Sequence, residues 1–376
     1  MRRRSTPLRI AATTFIFAIS QPLLAPPSLV AAPGPGSVVN DTARLIAGMP
    51  VSEASPLAPI MRDPAWQAHA ALFEKAFAKV RERELNRIHK WEGQYLPEGL
   101  RPMPVAYYMF SGPDLFYVDQ FFPNASVYVL SGQEPVGPLP DLQRIAQTGG
   151  LPVALNNLAV AMKSALSLSF FITKDMRSDL QRGELRGTLP IFYIFLARAE
   201  KTINEVSFVS LSSDGTFRPT GAGKSGGASG VRIAYTDPNG RPQTMFYFTT
   251  DLSDGGIKSS PGFMKFCKRF GNGASLLKSA SYLMHGPGFS TVRSFLLEHS
   301  TTIVQDDSAI PISYFDPNRW SLRFFGEYNG PVPTFKQFSQ PQLAEIYARS
   351  NPASLHFGFG YREHGHDSTL IVAQRN

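Results

Sequence analysis

Val105-Ala-Tyr-Tyr-Met-Phe110, then Ser111-Gly-Pro-Asp114, then Leu115 to Phe122, then, beyond Pro123-Asn124, Ser126-Val-Tyr-Val-Leu130: this stretch decides the fold class. Its first run is apolar and aromatic without a polar break, as in a strand buried on both faces. Ser111 to Asp114 reads as a turn and helix start, with Pro113 suited to the first helical position. Leu115 to Phe122 is a short helix stopped by Pro123. Ser126 to Leu130 is a second strand, ending at Ser131-Gly-Gln-Glu134. Strand, helix and strand in so short a span predict a βαβ unit with parallel strands and a right-handed crossover.

Working outward, Asp63-Pro64 is an N-cap and first-turn pair. After it Phe73, Phe77, Val80, Ile88 and Trp91 form one stripe of an amphipathic helix, with Glu74, Glu82, Glu84 and their basic neighbours on the wet face. Further helices are expected over 141–147, 152–169, 190–202, 275–284, 290–298 and 340–349. Strands are expected over 205–211, 231–235, 244–249, 302–305, 310–315, 320–325, 355–361 and 369–373, with Asp237-Pro-Asn-Gly240 as a hairpin turn. Helices interleaved with strands predict an α/β (or α+β) domain: a mixed β-sheet with a Rossmann-like βαβ unit flanked by helices.

The amino terminus reads as an export signal. Arg2, Arg3, Arg4 and Arg9 precede an apolar run from Ile10 to Ala25, and Val30-Ala-Ala32 offers small residues for cleavage. Ser20, Gln21 and Pro22 break the run, so it is a poor membrane span. The organisation predicted is a signal over 1–32, a Pro/Gly-rich tether over 33–62 with one short helix around Asp41 to Ala47, and a single globular α/β domain over 63–376, with order beginning near Asp63. The expected location is periplasmic or secreted. Without the four signal arginines the formal charge of +8 falls to +4, which gives no electrostatic case for nucleic acid. Leu151 to Ile172 is the longest mostly apolar stretch after the signal. Asn156, Asn157 and Lys163 interrupt it, so no transmembrane segment is expected in the mature chain. Cys267 is the single cysteine, which rules out an intrachain disulfide.

Phe110-Ser-Gly-Pro-Asp114 through Phe121-Phe-Pro123 to Gly132-Gln-Glu-Pro-Val-Gly137 forms one suggestive set of residues. Gln305-Asp-Asp-Ser308, Ile310-Pro311, Trp320 and Gly326-Glu-Tyr328 form the other. Together they resemble a family of uncharacterised exported bacterial proteins, over most of the chain after about Trp91. The resemblance implies an exported bacterial origin and supplies no catalytic residue.

Several motifs invite chemistry. Ser111, Gly112 and Asp114 follow a strand and open a helix, where an α/β sheet usually binds ligands and where free N–H groups favour an anion. Glu134 ends the next strand, the place of a ribose-binding acid. This is loosely similar to the first turn of a methyltransferase or dehydrogenase, without the glycine pattern. Gly221-Ala-Gly-Lys224-Ser225 lacks the first glycine of a phosphate loop, since Arg218 stands there. Ser275-Leu-Leu-Lys278 matches the Ser-x-x-Lys of penicillin-binding enzymes but lacks the partner motifs. His364-Gly-His366 can turn two imidazoles to one side, but no third ligand is fixed, so no metal is assigned. Asp306 or Asp307 with Glu134 or Asp114 would make a carboxylate pair for glycoside hydrolysis, with Tyr314, Trp320 and Tyr328 to stack on sugar. Ser111, Gly112, Asp114, Glu134, Asp306 and Asp307 are therefore expected to line one cleft.

Three functions follow as expectations. The first is an exported ligand-binding or interaction module of the bacterial envelope, taking a small molecule or envelope component with no cofactor. The second is a carboxylate hydrolase of an envelope polysaccharide. The third is a degenerate nucleotide-cofactor-binding, methyltransferase-like fold.

Overall fold

A computed structural model describes residues 37–168, 183–220, 229–362 and 367–376. The signal region, the phosphate-loop-like segment Gly221 to Ser225 and the histidines His364 and His366 lie outside these residues.

The βαβ unit is present. β1 (Met103–Tyr108) and β2 (Ala125–Gly132) run parallel, with Tyr108 opposite Leu130, and α4 (Leu115–Phe121) crosses between them. The strands β3 (Thr202–Leu211), β4 (Phe217–Pro219), β5 (Ser229–Thr236), β6 (Pro242–Thr249), β7 (Gly273–Leu277), β8 (Ser300–Gln305), β9 (Trp320–Gly326) and β10 (Thr369–Arg375) complete a ten-stranded mixed sheet in the order β4-β3-β5-β6-β2-β1-β7-β8-β10-β9. The five central strands, β6-β2-β1-β7-β8, are mutually parallel. The antiparallel β5–β6 hairpin extends one side, and β10 enters antiparallel between β8 and β9 on the other.

Strand alternation divides the core into two layers. Ala106, Tyr108, Tyr128 and Leu130 pack on one face, beneath α2 (Pro64–Val80), α3 (Asn86–Tyr95), α4, α6 (Leu151–Leu168) and α7 (Leu189–Arg198). Val105, Tyr107, Met109 and Val129 pack on the other, against α9 (Gly262–Lys268) and α10 (Ser290–His299). Successive strand residues point to opposite faces, so helices on both sides are what make the run 105–109 uniformly apolar. Cys267 is fully buried in the second layer. Among the described residues no helix is long and apolar enough to cross a membrane.

Five local expectations need correction. Ser275 to Lys278 is not helical; Gly273–Leu277 is β7, buried on both faces, where a short apolar run cannot be told from a helix by its period. Residues 310–315 form a turn rather than a strand, because Gln305 folds back to hold both the N–H and the C=O of Ile310. Residues 355–361 make only isolated bridges, since the N–H groups of Gly358 and Phe359 go to the side chains of Glu84 and Ser368. The tether is ordered from Ser37 onward, and α1 (Val38–Ile46) buries Leu45 and Ile46 in the core. Finally, the stripe Phe73, Phe77, Val80, Ile88 and Trp91 is buried as expected, but a π turn at Arg81–Leu85 separates α2 from α3. That wider turn carries Glu84 inward, where Arg83 and the Gly358 N–H receive it.

Candidate functional site

The parallel strands reverse their order at β1: β2 lies on one side and β7 on the other. In such sheets the loops leaving the carboxyl ends of the two strands diverge and leave a crevice. Here a crevice of about 280 Å³ opens there. Phe110 and Gly112 come from the loop after β1, Ser131 to Glu134 from the end of β2, Thr250 to Leu252 from the end of β6, and Ser279 to Ser281 from the loop after β7. Phe289 closes one side, edge-on to Phe110 at 5.9 Å between ring centres.

The backbone around this crevice is strained. Phe110, Ser279, Ser281 and Tyr282 all have left-handed conformations, with φ of 62°, 53°, 53° and 56°. Each costs about 1–3 kcal/mol unless its surroundings hold it. The surroundings do. Asp306 accepts the N–H of Ser279, Ser308 that of Ala280, and the Tyr361 hydroxyl that of Ser281. Asp307 accepts the Tyr282 hydroxyl at 2.6 Å. Ser279 Oγ is buried and has no hydrogen-bond partner among the described residues, a costly state for a hydroxyl that nothing fills.

Gly132 permits close approach. A Cβ there would lie 2.8 Å from Tyr247 Oη and 2.9 Å from Gly112 Cα, besides overlapping the Glu134 carboxylate. The Glu134 side chain accepts from the Gln133 N–H and the Tyr247 hydroxyl, which fixes it at the crevice wall.

Of the expected residues, Gly112 and Glu134 line the crevice together. Ser111 stands just behind it, its hydroxyl donating to Gly112 and Ser131 carbonyls. Asp114 faces away: it caps α4 through the Tyr117 N–H, accepts the Tyr108 hydroxyl and pairs with Lys278 at 3.3 Å. Lys278, the lysine of the Ser-x-x-Lys match, sits over the Tyr117 ring at 3.4 Å. Burial pulls its ammonium below the usual range, against Asp114, Glu84 and Asp306, which pull it up. Ser275 takes no part, since its hydroxyl is buried against Ser300.

Asp306 and Asp307 do not line the crevice; they brace the loop that does. Burial raises both carboxyls, and Asp306 raises Asp307 further. Trp320 is buried against Phe315, Tyr314 carries Arg293 over its ring, and Tyr328 faces Tyr347. None of the three aromatic residues reaches the crevice. Ser279, Ala280 and Ser281 were not expected at a site, because the run holding them reads as helix; Lys278-Ser-Ala-Ser281, with its small polar residues, was the available signal.

The structure also changes the electrostatic expectation at Ser111 to Asp114. The Gly112 N–H already donates to Ser131, Pro113 has none, and the Asp114 carboxylate occupies the first turn of α4. An anion there finds the Gly112, Leu115 and Tyr117 N–H groups already taken and meets a negative charge. Among the described residues that line the crevice, Glu134 and Asp251 are acidic and none is basic. Compared with protein-family models, curated proteins and solved structures, the chain matches none.

Proposed function

We propose that this chain is an exported bacterial ligand-binding protein whose crevice takes a small, uncharged or cationic molecule of nucleoside size. The observation that carries the reading is the placement of Glu134. It lines a crevice at the strand-order reversal, at the end of the second parallel strand. In doubly wound sheets an acid about 20 residues beyond the first loop hydrogen-bonds a ribose hydroxyl. The volume, about 280 Å³, lies at the small end of ligand pockets, which run about 300–1,000 Å³, and suits one nucleoside rather than a dinucleotide. Phe110 and Phe289 offer ring faces, and Ser279 Oγ a hydroxyl to satisfy. Among the described lining residues the charges are acidic, which favours an uncharged or cationic ligand over a phosphate. The strand order, with an antiparallel β10 between β8 and β9, supports the methyltransferase-like reading of the sheet by fold analogy alone. Asp306 is buried, Asp307 is half-buried, and neither lines the crevice, which speaks against the carboxylate hydrolase.

Titration calorimetry with adenosine, adenosine monophosphate and glucose tests this. Adenosine should bind, the monophosphate at least about tenfold more weakly, and Glu134→Gln should weaken adenosine by about tenfold or more, as for loss of a charge-assisted hydrogen bond. Equal affinity for adenosine and its monophosphate, or an unaffected Glu134→Gln, would overturn the reading. Export is tested separately by the mass of the native product, which should lack residues up to the region of Ala32.

A further inference from the structure

The wall of the crevice formed by residues 279–282 is held in an unfavourable backbone conformation by groups that never touch the crevice. Ser279, Ser281 and Tyr282 are left-handed, and none is glycine or asparagine, the residues that tolerate this region best. No helix end accounts for them, as one does for Glu200 after α7 and Asn351 after α11 (Pro341–Ser350). The bracing converges on one carboxylate. Asp306 receives the Ser279 N–H at 3.0 Å on one oxygen and both the N–H and hydroxyl of Ser308 on the other. Ser308 in turn holds the Ala280 N–H at 2.8 Å. Gly360, at φ +71°, packs so closely on the Asp306 carboxylate that any Cβ would overlap it. That packing keeps water out, and Asp306 is 1% exposed.

We propose that Asp306 is a positioning residue of the ligand crevice: its carboxyl group, acting through the Ser279 amide and Ser308, holds the left-handed wall in the shape that admits the ligand. This rests on the reading of the crevice as a ligand site. Both carboxyl oxygens serve these three donors, whereas an asparagine at this place would offer one acceptor oxygen and turn an NH2 group toward the others. The groups facing Asp306 are Lys278 at the end of β7, Tyr108 on β1, its neighbour Asp307 with Tyr282, and Tyr361 from the segment carrying Gly360. Only Lys278 is cationic among them, and Asp114 and Glu84 share it. Burial therefore raises the Asp306 carboxyl, with Lys278 and the hydrogen bonds opposing. The hydrogen bonds hold the wall, and the cost of the buried charge works against them as pH rises.

The test is amide hydrogen exchange by NMR on the full protein, corrected for intrinsic rates, from about pH 5 to about pH 8, with adenosine affinity measured alongside. In the wild type, protection at Ser279 and Ala280 should rise on acidification, because a carboxyl raised in the held wall binds its proton more tightly there than in an opened one, while Val129 and Phe246 in the central strands stay protected throughout. Asp306→Asn should lower protection at Ser279 and Ala280 by about tenfold at the lower end of the range and abolish the pH dependence, with adenosine affinity falling in parallel. Tyr361→Phe, which removes the hydroxyl under Ser281 but keeps the ring, should loosen Ser281 and leave the pH dependence at Ser279 intact. That variant keeps the test available should Asp306→Asn fold poorly. PH-independent protection of Ser279 in the wild type, or unchanged adenosine affinity in Asp306→Asn, would overturn the positioning role while leaving the ligand reading standing. Failure of adenosine to bind the wild type would overturn the ligand reading, and the role with it.

Discussion

Two lysines are buried at opposite ends of the parallel strands, and their surroundings differ. Lys201, before β3, meets Asp119 at 2.6 Å and Gln243 at 2.7 Å, and lies over the rings of Tyr235 and Tyr128. Gln243 continues the network to the carbonyls of Pro123 and Ala125. One cation faces one carboxylate, and neutral groups fill the rest. This end ties α4, β2, β3 and β6 together and leaves the charge balanced. Lys278, after β7, faces Asp114 at 3.3 Å and also feels Glu84 and Asp306. Three carboxylates there share Lys278, with Arg83 also on Glu84, and the backbone beside them is strained. The comparison teaches that burying an ion pair does not by itself mark a site. An excess of buried carboxylates beside strained backbone, at the end where the strands diverge, does.

The largest expected effect tests this imbalance. Lys278→Met removes the cation from the buried Asp114 and Asp306 and leaves Glu84 with Arg83 alone, and should cost on the order of 3–5 kcal/mol near neutral pH. Lys201→Met strands only Asp119, whose side chain is 17% exposed against 5% for Asp114, and should cost about 1–3 kcal/mol. Urea unfolding of both variants measures the pair. The Lys278 deficit should shrink on acidification, as the stranded carboxylates take up protons. A larger cost at Lys201 would break the comparison.

A smaller effect concerns Asp307. Burial and Asp306 raise its carboxyl, to about 7, so its sign follows from linkage. A raised acid favours folding below its ordinary range and loses that contribution as pH climbs through its folded value. Asp307→Asn keeps an acceptor for the Tyr282 hydroxyl and removes the charge. Relative to the wild type it should gain stability as pH rises from about 4 to about 8, on the order of 1–3 kcal/mol across that span. Thermal midpoints of the two proteins across that range check it. Other raised acids, Glu92 at about 9 among them, act equally in both and cancel in the difference. A flat difference would show that the charge excess at this end is relieved by other means.

The smallest effect belongs to the balanced end. Tyr235 Oη is buried without a hydrogen-bond partner among the described residues, while its ring carries Lys201 at 5.1 Å. Tyr235→Phe keeps the ring and removes the orphan hydroxyl, so stability should stay within about 1 kcal/mol of the wild type, with a gain favoured. A loss above that would mean the hydroxyl sustains the Lys201 network, and chemical denaturation resolves the two.

The sequence by itself determined the parts of this protein that have a local cause. Val105 to Leu130 gave a parallel βαβ unit because uninterrupted apolar runs, a proline-started helix and a proline stop admit little else. The stripe from Phe73 to Trp91 gave its helix face, and Gly112 and Glu134 were placed at one crevice because both directly end a run of core residues. Only the tertiary structure decided the rest. Leu276 and Leu277 look the same to a helix and to a strand covered on both sides, so β7 is a strand because β1 and β8 flank it. Reading 275–284 as helix also hides the wall at Ser279 to Tyr282, which follows directly on β7. Asp306 and Asp307 were read as site carboxylates because a sequence shows where a strand ends but not which way its last side chains turn. Gly360, Ser308 and Lys278 enclose Asp306, and those contacts join segments far apart in the chain. Strain, burial of charge and the sharing of one cation among several acids are properties of such non-local packing, and no local pattern of residues encodes them.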